Sequence, residues 1–81
     1  MTTATEIGAI IDRFVSGQIP LGELLSHIEP ALRRASNERL WQRRVDAIAN
    51  DIEFAIYTLN DPERRDAIVE ILNQAVRVLP S

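Results

Sequence analysis

Apolar residues recur along the chain at spacings of three and four, the period of an amphipathic α-helix. Four such segments follow one another, over about residues 3–16, 21–35, 38–59 and 62–79. The apolar positions that predict the core are Ile7, Ile10, Ile11, Phe14 and Val15, then Leu21, Leu24, Leu25, Ile28 and Leu32, then Trp41, Val45, Ile48, Ile52, Ala55 and Leu59, and finally Ile68, Ile71, Leu72, Ala75, Val76 and Leu79. No segment shows the alternation of a half-buried strand.

Helix-ending and helix-starting residues separate the four segments. Gly17 can take the left-handed conformation that ends the first helix, and Ile19 can then fold back onto Phe14. Asn37 is a good N-cap for the third helix, and Asp61 is one for the fourth, with Pro62 at its first position. Connections this short predict a compact antiparallel four-helix bundle, an all-α fold that forms one domain over residues 1–81.

The second helix contains residues that disturb regular helical geometry. Pro20 offers no side-chain acceptor for a cap, and Gly22 lies in the first turn, so we expect an irregular start. Pro30 removes a backbone donor and crowds the carbonyl of Ser26, a defect of about 3 kcal/mol in a regular helix. We therefore expect the second helix to be kinked or broken near Pro30.

Composition narrows the class of protein. A chain of 81 residues with 46% hydrophobic and 26% charged residues is typical of one small globular domain with an aliphatic core. It has no cysteine, which favours a reducing compartment over secretion. The sequence shows neither a signal peptide nor a membrane span, and these features together predict a cytoplasmic protein without a membrane partner.

Residues for catalysis or metal binding are sparse. The single histidine, His27, has no cysteine or serine motif to activate. Glu23 and His27 are four apart, the spacing of half a metal site, but no second ligand pair is identifiable. We therefore predict no catalytic residues, no metal, no cofactor and no enzymatic activity.

Charge is divided unevenly within the third helix. From Ala31 to Val45 there are five arginines and one glutamate, whereas residues 46–63 contain five acids and no base. This order opposes the helix dipole, which favours acids at the N-terminus and bases at the C-terminus. Local helix stability does not explain this order of charges. Two explanations remain, ion pairs with neighbouring helices and contacts with a partner.

The outward side of the third helix carries a polar stripe opposite the core seam. Its members are Arg39, Arg43, Asp46, Asn50, Glu53 and Tyr57. Beside it, Leu40, Ala47 and Phe54 repeat at intervals of seven. These three residues are either covered by another helix, with Phe54 the first candidate for the core, or they join Tyr57 in an apolar and acidic patch. Such a patch suits a basic protein partner, because a ring can fill a pocket while the acids steer the encounter.

The chain resembles the small bacterial immunity proteins of the colicin D type and their colicin-like relatives. The resemblance rests on the spacing of Phe14, Gly17, Ile19, Glu23 and Leu24, on the long third helix with acidic positions, and on Asp61-Pro62-Glu63 with Arg65. It implies a four-helix bundle that binds a cognate nuclease toxin and blocks the basic RNA-binding cleft. The residues expected to bind the partner are then Asp46, Asn50, Asp51, Glu53, Tyr57 and Asp61.

Two other functions stay open. A nucleic-acid-binding module would use the arginine cluster, which comprises Arg33, Arg34, Arg39, Arg43 and Arg44. The sequence pI of about 5.0 and the absence of lysine argue against nucleic-acid binding. A homodimer would pair the basic half of the third helix with the acidic half of a second copy across an antiparallel two-fold contact.

Overall fold

The computed structural model describes residues 3–80, apart from the side chain of Thr3. Within this range the chain forms four α-helices and no strand: α1 (Thr3–Val15), α2 (Leu24–Arg33), α3 (Arg39–Thr58) and α4 (Glu63–Arg77). Each helix packs against the next, and α4 returns to contact α1. The predicted all-α four-helix bundle is confirmed.

One apolar cluster fills the space between the helices. The buried residues are Ile7, Ile10, Ile11, Phe14, Ile19, Leu24, Ile28, Ala31, Leu32, Trp41, Val45, Ile48, Ile52, Ala55, Ile68, Leu72 and Ala75. Most of the core predicted from the periodicity is present. Val15 and Val76 are exceptions, since their side chains are exposed at the borders of the apolar stripes of α1 and α4.

The end of α1 has the geometry that Gly17 predicts. Gly17 has a φ of 86°, the left-handed region that suits a residue without a Cβ atom. The N–H of Gln18 donates to the carbonyl of Arg13 at 2.8 Å, and the N–H of Gly17 donates to that of Phe14 at 3.1 Å. These two bonds form a Schellman motif, which turns the chain so that Ile19 enters the core.

Arg65 of α4 completes this helix end. Its Nη2 donates to the carbonyls of Phe14 at 2.8 Å and Val15 at 2.6 Å, and its guanidinium lies 5.0 Å from the centre of the Phe14 ring. A cation at a helix C-terminus also interacts favourably with the helix dipole. Arg65 therefore joins α4 to α1 through the carbonyls at the end of α1, the ring of Phe14 and the dipole of α1.

Replacing Arg65 tests this junction. We expect Arg65→Ala to lower the free energy of unfolding by about 1–2 kcal/mol, since it removes charge-assisted hydrogen bonds that are partly open to water. Urea unfolding followed by circular dichroism measures the loss. Arg39→Ala is the matched control, because the Arg39 side chain is exposed and forms no hydrogen bond or ion pair with the described residues 3–80; the loss in this variant should stay below about 0.5 kcal/mol. Equal losses in the two variants would contradict the assigned role.

The start of α2 is irregular, as predicted. A single 3₁₀ turn over Leu21–Glu23 precedes the helix, and Pro20 stands before it without a side-chain cap. Of the two outcomes expected at Pro30, the break does not occur, because α2 runs continuously from Leu24 to Arg33. Four of its residues are buried in the core, and this packing holds the helix together across the missing backbone donor.

The predicted caps of α3 and α4 are wrong by one residue. Glu38, not Asn37, is the N-cap of α3, and the Ser36 hydroxyl accepts the N–H of Glu38 at 3.1 Å. Pro62, not Asp61, precedes α4, and the Asp61–Pro62 peptide is cis. Neither cap residue makes a side-chain cap bond. Backbone carbonyls accept hydrogen bonds from some of the N–H groups at the helix starts instead. The carbonyl of Asn60, for example, accepts the N–H of Arg64 at 2.9 Å.

Polar atoms fasten α3 to α2 next to the core. The indole Nε1 of Trp41 donates to the carbonyl of Leu32 at 2.7 Å, and this bond is buried. Gln42 donates through Nε2 to the carbonyls of Arg33 at 3.1 Å and Ser36 at 2.7 Å. Together these bonds join the first turn of α3 to the last turn of α2 and to the loop that follows it, and they fix the direction of α3 relative to α2.

Candidate protein-binding surface

The outward side of α3 faces solvent along its whole length. All six residues of the predicted polar stripe, from Arg39 to Tyr57, are exposed. The core seam that runs from Trp41 to Ala55 is buried on the opposite side. The helical wheel drawn from the sequence thus gives the correct orientation of this helix.

The carboxylate of Asp46 forms a hydrogen bond and an ion pair within the chain. Its Oδ1 accepts a hydrogen bond from Nη2 of Arg33 at 2.6 Å. Arg33 also donates to Oε1 of Gln42 at 3.0 Å and lies 3.7 Å from Glu29. The bond to Asp46 raises the pKa of Arg33 above its ordinary value. Asp46 therefore links α3 to α2, and it is less available to a partner than the sequence suggests.

The other predicted binding residues fall into three places. Asn50, Glu53 and Tyr57 share the outward stripe, and we call these three residues the partner face. Asp51 lines a groove between α3 and α4. Asp61 lines a separate hollow of about 250 Å³ beside Phe14 and Arg65. The structure does not gather the six residues into one site.

Apolar side chains are exposed next to the partner face. Leu40 is 76% exposed, Phe54 69% and Tyr57 83%. The expectation that Phe54 lies in the core is wrong, because no helix within residues 3–80 covers this side of α3. Leu40, Ala47 and Phe54, which we call the heptad stripe, are all open to solvent. Contiguous exposed apolar patches, unlike single exposed apolar side chains, are typical of protein interaction surfaces.

Sequence reasoning missed the groove between α3 and α4. It has a volume of about 490 Å³. Leu40, Arg43 and Ala47 of α3 line one side of it, and Ile71 of α4 and Val78, the residue that follows α4, line the other. One feature of the sequence could have indicated this groove: Ile71 and Val78 are seven residues apart, like the members of the heptad stripe. The periodicity predicts Ile71 in the core, but its side chain is only half-buried.

The arginine cluster is divided between two environments. Arg33 is bound to Asp46, and Arg34 forms an ion pair with Glu6 of α1. Arg39, Arg43 and Arg44 are exposed, with no ion pair to the part of the chain that the structure describes. The cluster thus presents three free cations, fewer than its sequence suggests for phosphate contacts.

Two polar residues at the start of α2 have the spacing of half a metal site. Glu23 and His27 are both exposed. Over residues 3–80, no three histidine, cysteine or acidic side chains lie close enough together to hold a metal ion. In the same range, no helix is long and apolar enough to cross a membrane.

The fold and surface define an all-α bundle with an exposed aromatic and acidic helix face. Comparison of the chain with protein families, curated proteins and solved structures finds no match. Its function is therefore inferred from its own residues.

Proposed function

We propose that the protein is a non-enzymatic inhibitor of the immunity or antitoxin type, which binds a basic protein partner through the partner face. The observation that carries this proposal is the environment of Tyr57, the most exposed large apolar side chain among the residues that the structure describes. Tyrosine is enriched at the centres of protein interfaces because its ring fills a pocket at low cost in conformational entropy. No structural role within residues 3–80 accounts for its position.

Charge around Tyr57 supports a basic partner. Glu53 lies one helical turn before it and is exposed, with no ion pair to any described residue. Asp51, on the adjacent side of α3, is also exposed and forms no ion pair with residues 3–80. Free carboxylates beside an exposed ring accelerate and orient the encounter with a positive surface. A nuclease toxin has such a surface where it binds RNA, and the resemblance to colicin-type immunity proteins leads to the same partner. The proposal places the protein in the cytoplasm.

The product of the neighbouring coding sequence is the partner to test. The two proteins are co-expressed, purified together and titrated by calorimetry. We expect Glu53→Arg with Tyr57→Ala to weaken binding by about a hundredfold or more, as loss of an interface anchor and reversal of a steering charge should. The circular dichroism spectrum should not change, because both residues are exposed.

Asp12→Arg is the matched control for this titration. It reverses an exposed acid on α1, a helix that packs mainly against α2 and α4. The affinity of this variant for the partner should stay within about threefold of the affinity of the unmodified protein. If the double variant binds as tightly as the control, the partner face is not the binding site.

A further inference from the structure

The charges of α3 are left largely without partners by the fold. Of the charged residues of α3, only Asp46 forms an ion pair with another residue of the described range 3–80. Arg43 and Asp51 both line the α3–α4 groove, yet neither has an ion pair in the described chain. Contacts with neighbouring helices therefore do not account for a basic first half and an acidic second half that oppose the helix dipole. An intermolecular contact would account for this order.

The residues around Ala47 are arranged symmetrically along the helix. Leu40 and Phe54 each lie seven positions from Ala47, and Arg43 and Asp51 each lie four positions from it. All five residues are exposed. From Leu40 to Phe54 the stripe is about 21 Å long, at 1.5 Å of rise per residue. Along the helix, the order is therefore apolar at Leu40, basic at Arg43, small at Ala47, acidic at Asp51 and apolar at Phe54.

We propose that the heptad stripe is a homodimer interface, in which α3 of two copies pack antiparallel about a two-fold axis through Ala47. Leu40 then meets Phe54 of the second copy, and Arg43 meets Asp51 of the second copy, twice in each dimer. The small Ala47 side chains at the axis let the helices approach closely. Antiparallel packing also sets the two helix dipoles in opposition, which is favourable.

The charges select this orientation over a parallel one. In a parallel pair, Arg43 would face Arg43 and Asp51 would face Asp51, and like charges at both positions would repel. The α3–α4 groove favours the same partner, because Ile71 and Val78 extend the apolar surface beside Leu40. Ile71 and Val78 can therefore add contact area on the flank of the α3 pair.

The dimer is distinct from the complex in the proposed function. It uses the heptad stripe with Arg43 and Asp51, whereas the proposed inhibitor binds through the partner face, and Asp51 is the one residue that both proposals invoke. Glu53 and Tyr57 belong to the inhibitor proposal alone, and Leu40, Arg43 and Phe54 belong to the dimer alone, so variants at these residues distinguish the two interactions. A contact centred on one helix from each copy is at the small end of specific interfaces, so we expect a dissociation constant in the micromolar range.

Sedimentation equilibrium of the purified chain tests the dimer. Over about 1 µM to 1 mM, the expected result is a shift from the 9.1 kDa of one chain to twice that mass, with weaker association at higher salt. A chain that stays monomeric at every concentration overturns the proposal; it would also be the result if the stripe took a helix of a different protein.

Charge reversal tests the orientation. Arg43→Glu and Asp51→Arg should each weaken the dimer by about tenfold or more, because each brings like charges together at two places. In the double variant, which carries both changes, the dissociation constant of the dimer should return to within about threefold of that of the unmodified chain. The charges at the two facing positions are then opposite again. Phe54→Ala should weaken dimerisation without altering its salt dependence, and Asp12→Arg should have no effect. A dimer that is insensitive to the single reversals, or that is not restored in the double variant, would show that this register is wrong.

Discussion

Trp41→Ala should lower the free energy of unfolding by about 3–5 kcal/mol, the loss typical of removing a large aromatic ring from a packed core. Trp41 is only 6% exposed, and its ring is part of the apolar cluster that all four helices share. A small domain has a total stability near the lower end of about 5–15 kcal/mol. Trp41→Ala should therefore be partly unfolded at room temperature, which urea titration followed by far-ultraviolet circular dichroism will show.

Trp41→Phe separates the burial of the ring from its hydrogen bond. Phenylalanine keeps most of the apolar volume but cannot donate to the carbonyl of Leu32, and we expect a loss of about 1–2 kcal/mol. The Leu32 carbonyl keeps a partner, because it also accepts the N–H of Ala35 at 3.1 Å. If the two substitutions cost the same, the bond between α3 and α2, and not the ring, would be the main contribution of Trp41.

Phe14→Ala should have a comparable effect, a loss of about 3–5 kcal/mol. Phe14 is 1% exposed, and it lies where α1, the turn at Gly17 and α4 meet. Its removal leaves a cavity under the guanidinium of Arg65, which is 5.0 Å from the ring centre. Thermal and urea unfolding of the variant measure the loss.

A double-mutant cycle with Arg65 identifies what the ring contributes beyond burial. Phe14→Leu keeps an apolar side chain but removes the cation–π contact, so its coupling to Arg65→Ala should be about 0.5–1 kcal/mol. Arg65→Ala should still destabilise the Phe14→Leu background, since the hydrogen bonds to the carbonyls of Phe14 and Val15 do not depend on the ring. Zero coupling would show that the guanidinium acts on the backbone alone.

The sequence predicts the bundle well because its signals are local. Gly17 ends α1 as expected, and the seam from Trp41 to Ala55 is buried as its spacing requires. The predicted caps of α3 and α4 differ from the observed ones by one residue, since helix starts depend on backbone geometry that several neighbouring residues can satisfy. The role of Arg65 could not be predicted, because its acceptors are carbonyls about fifty positions away.

The candidate site was predicted less completely. The exposure of Glu53 and Tyr57 follows from the helical period, but the environment of Phe54 does not. Phe54 has the character of a core residue, and only the arrangement of the other three helices decides whether one of them covers it. The engagement of Asp46 by Arg33 likewise depends on the angle between α2 and α3, which no periodicity specifies.

The placement of Trp41 and Tyr57 on opposite sides of α3 gives the protein two separate optical reporters. The chain has one tryptophan and one tyrosine. Fluorescence of the buried indole follows unfolding, because its emission moves to longer wavelength when water reaches the ring. Ultraviolet absorption or nitration of the exposed phenol follows occupation of the partner face instead. Folding and binding can therefore be observed independently without any change to the amino-acid sequence.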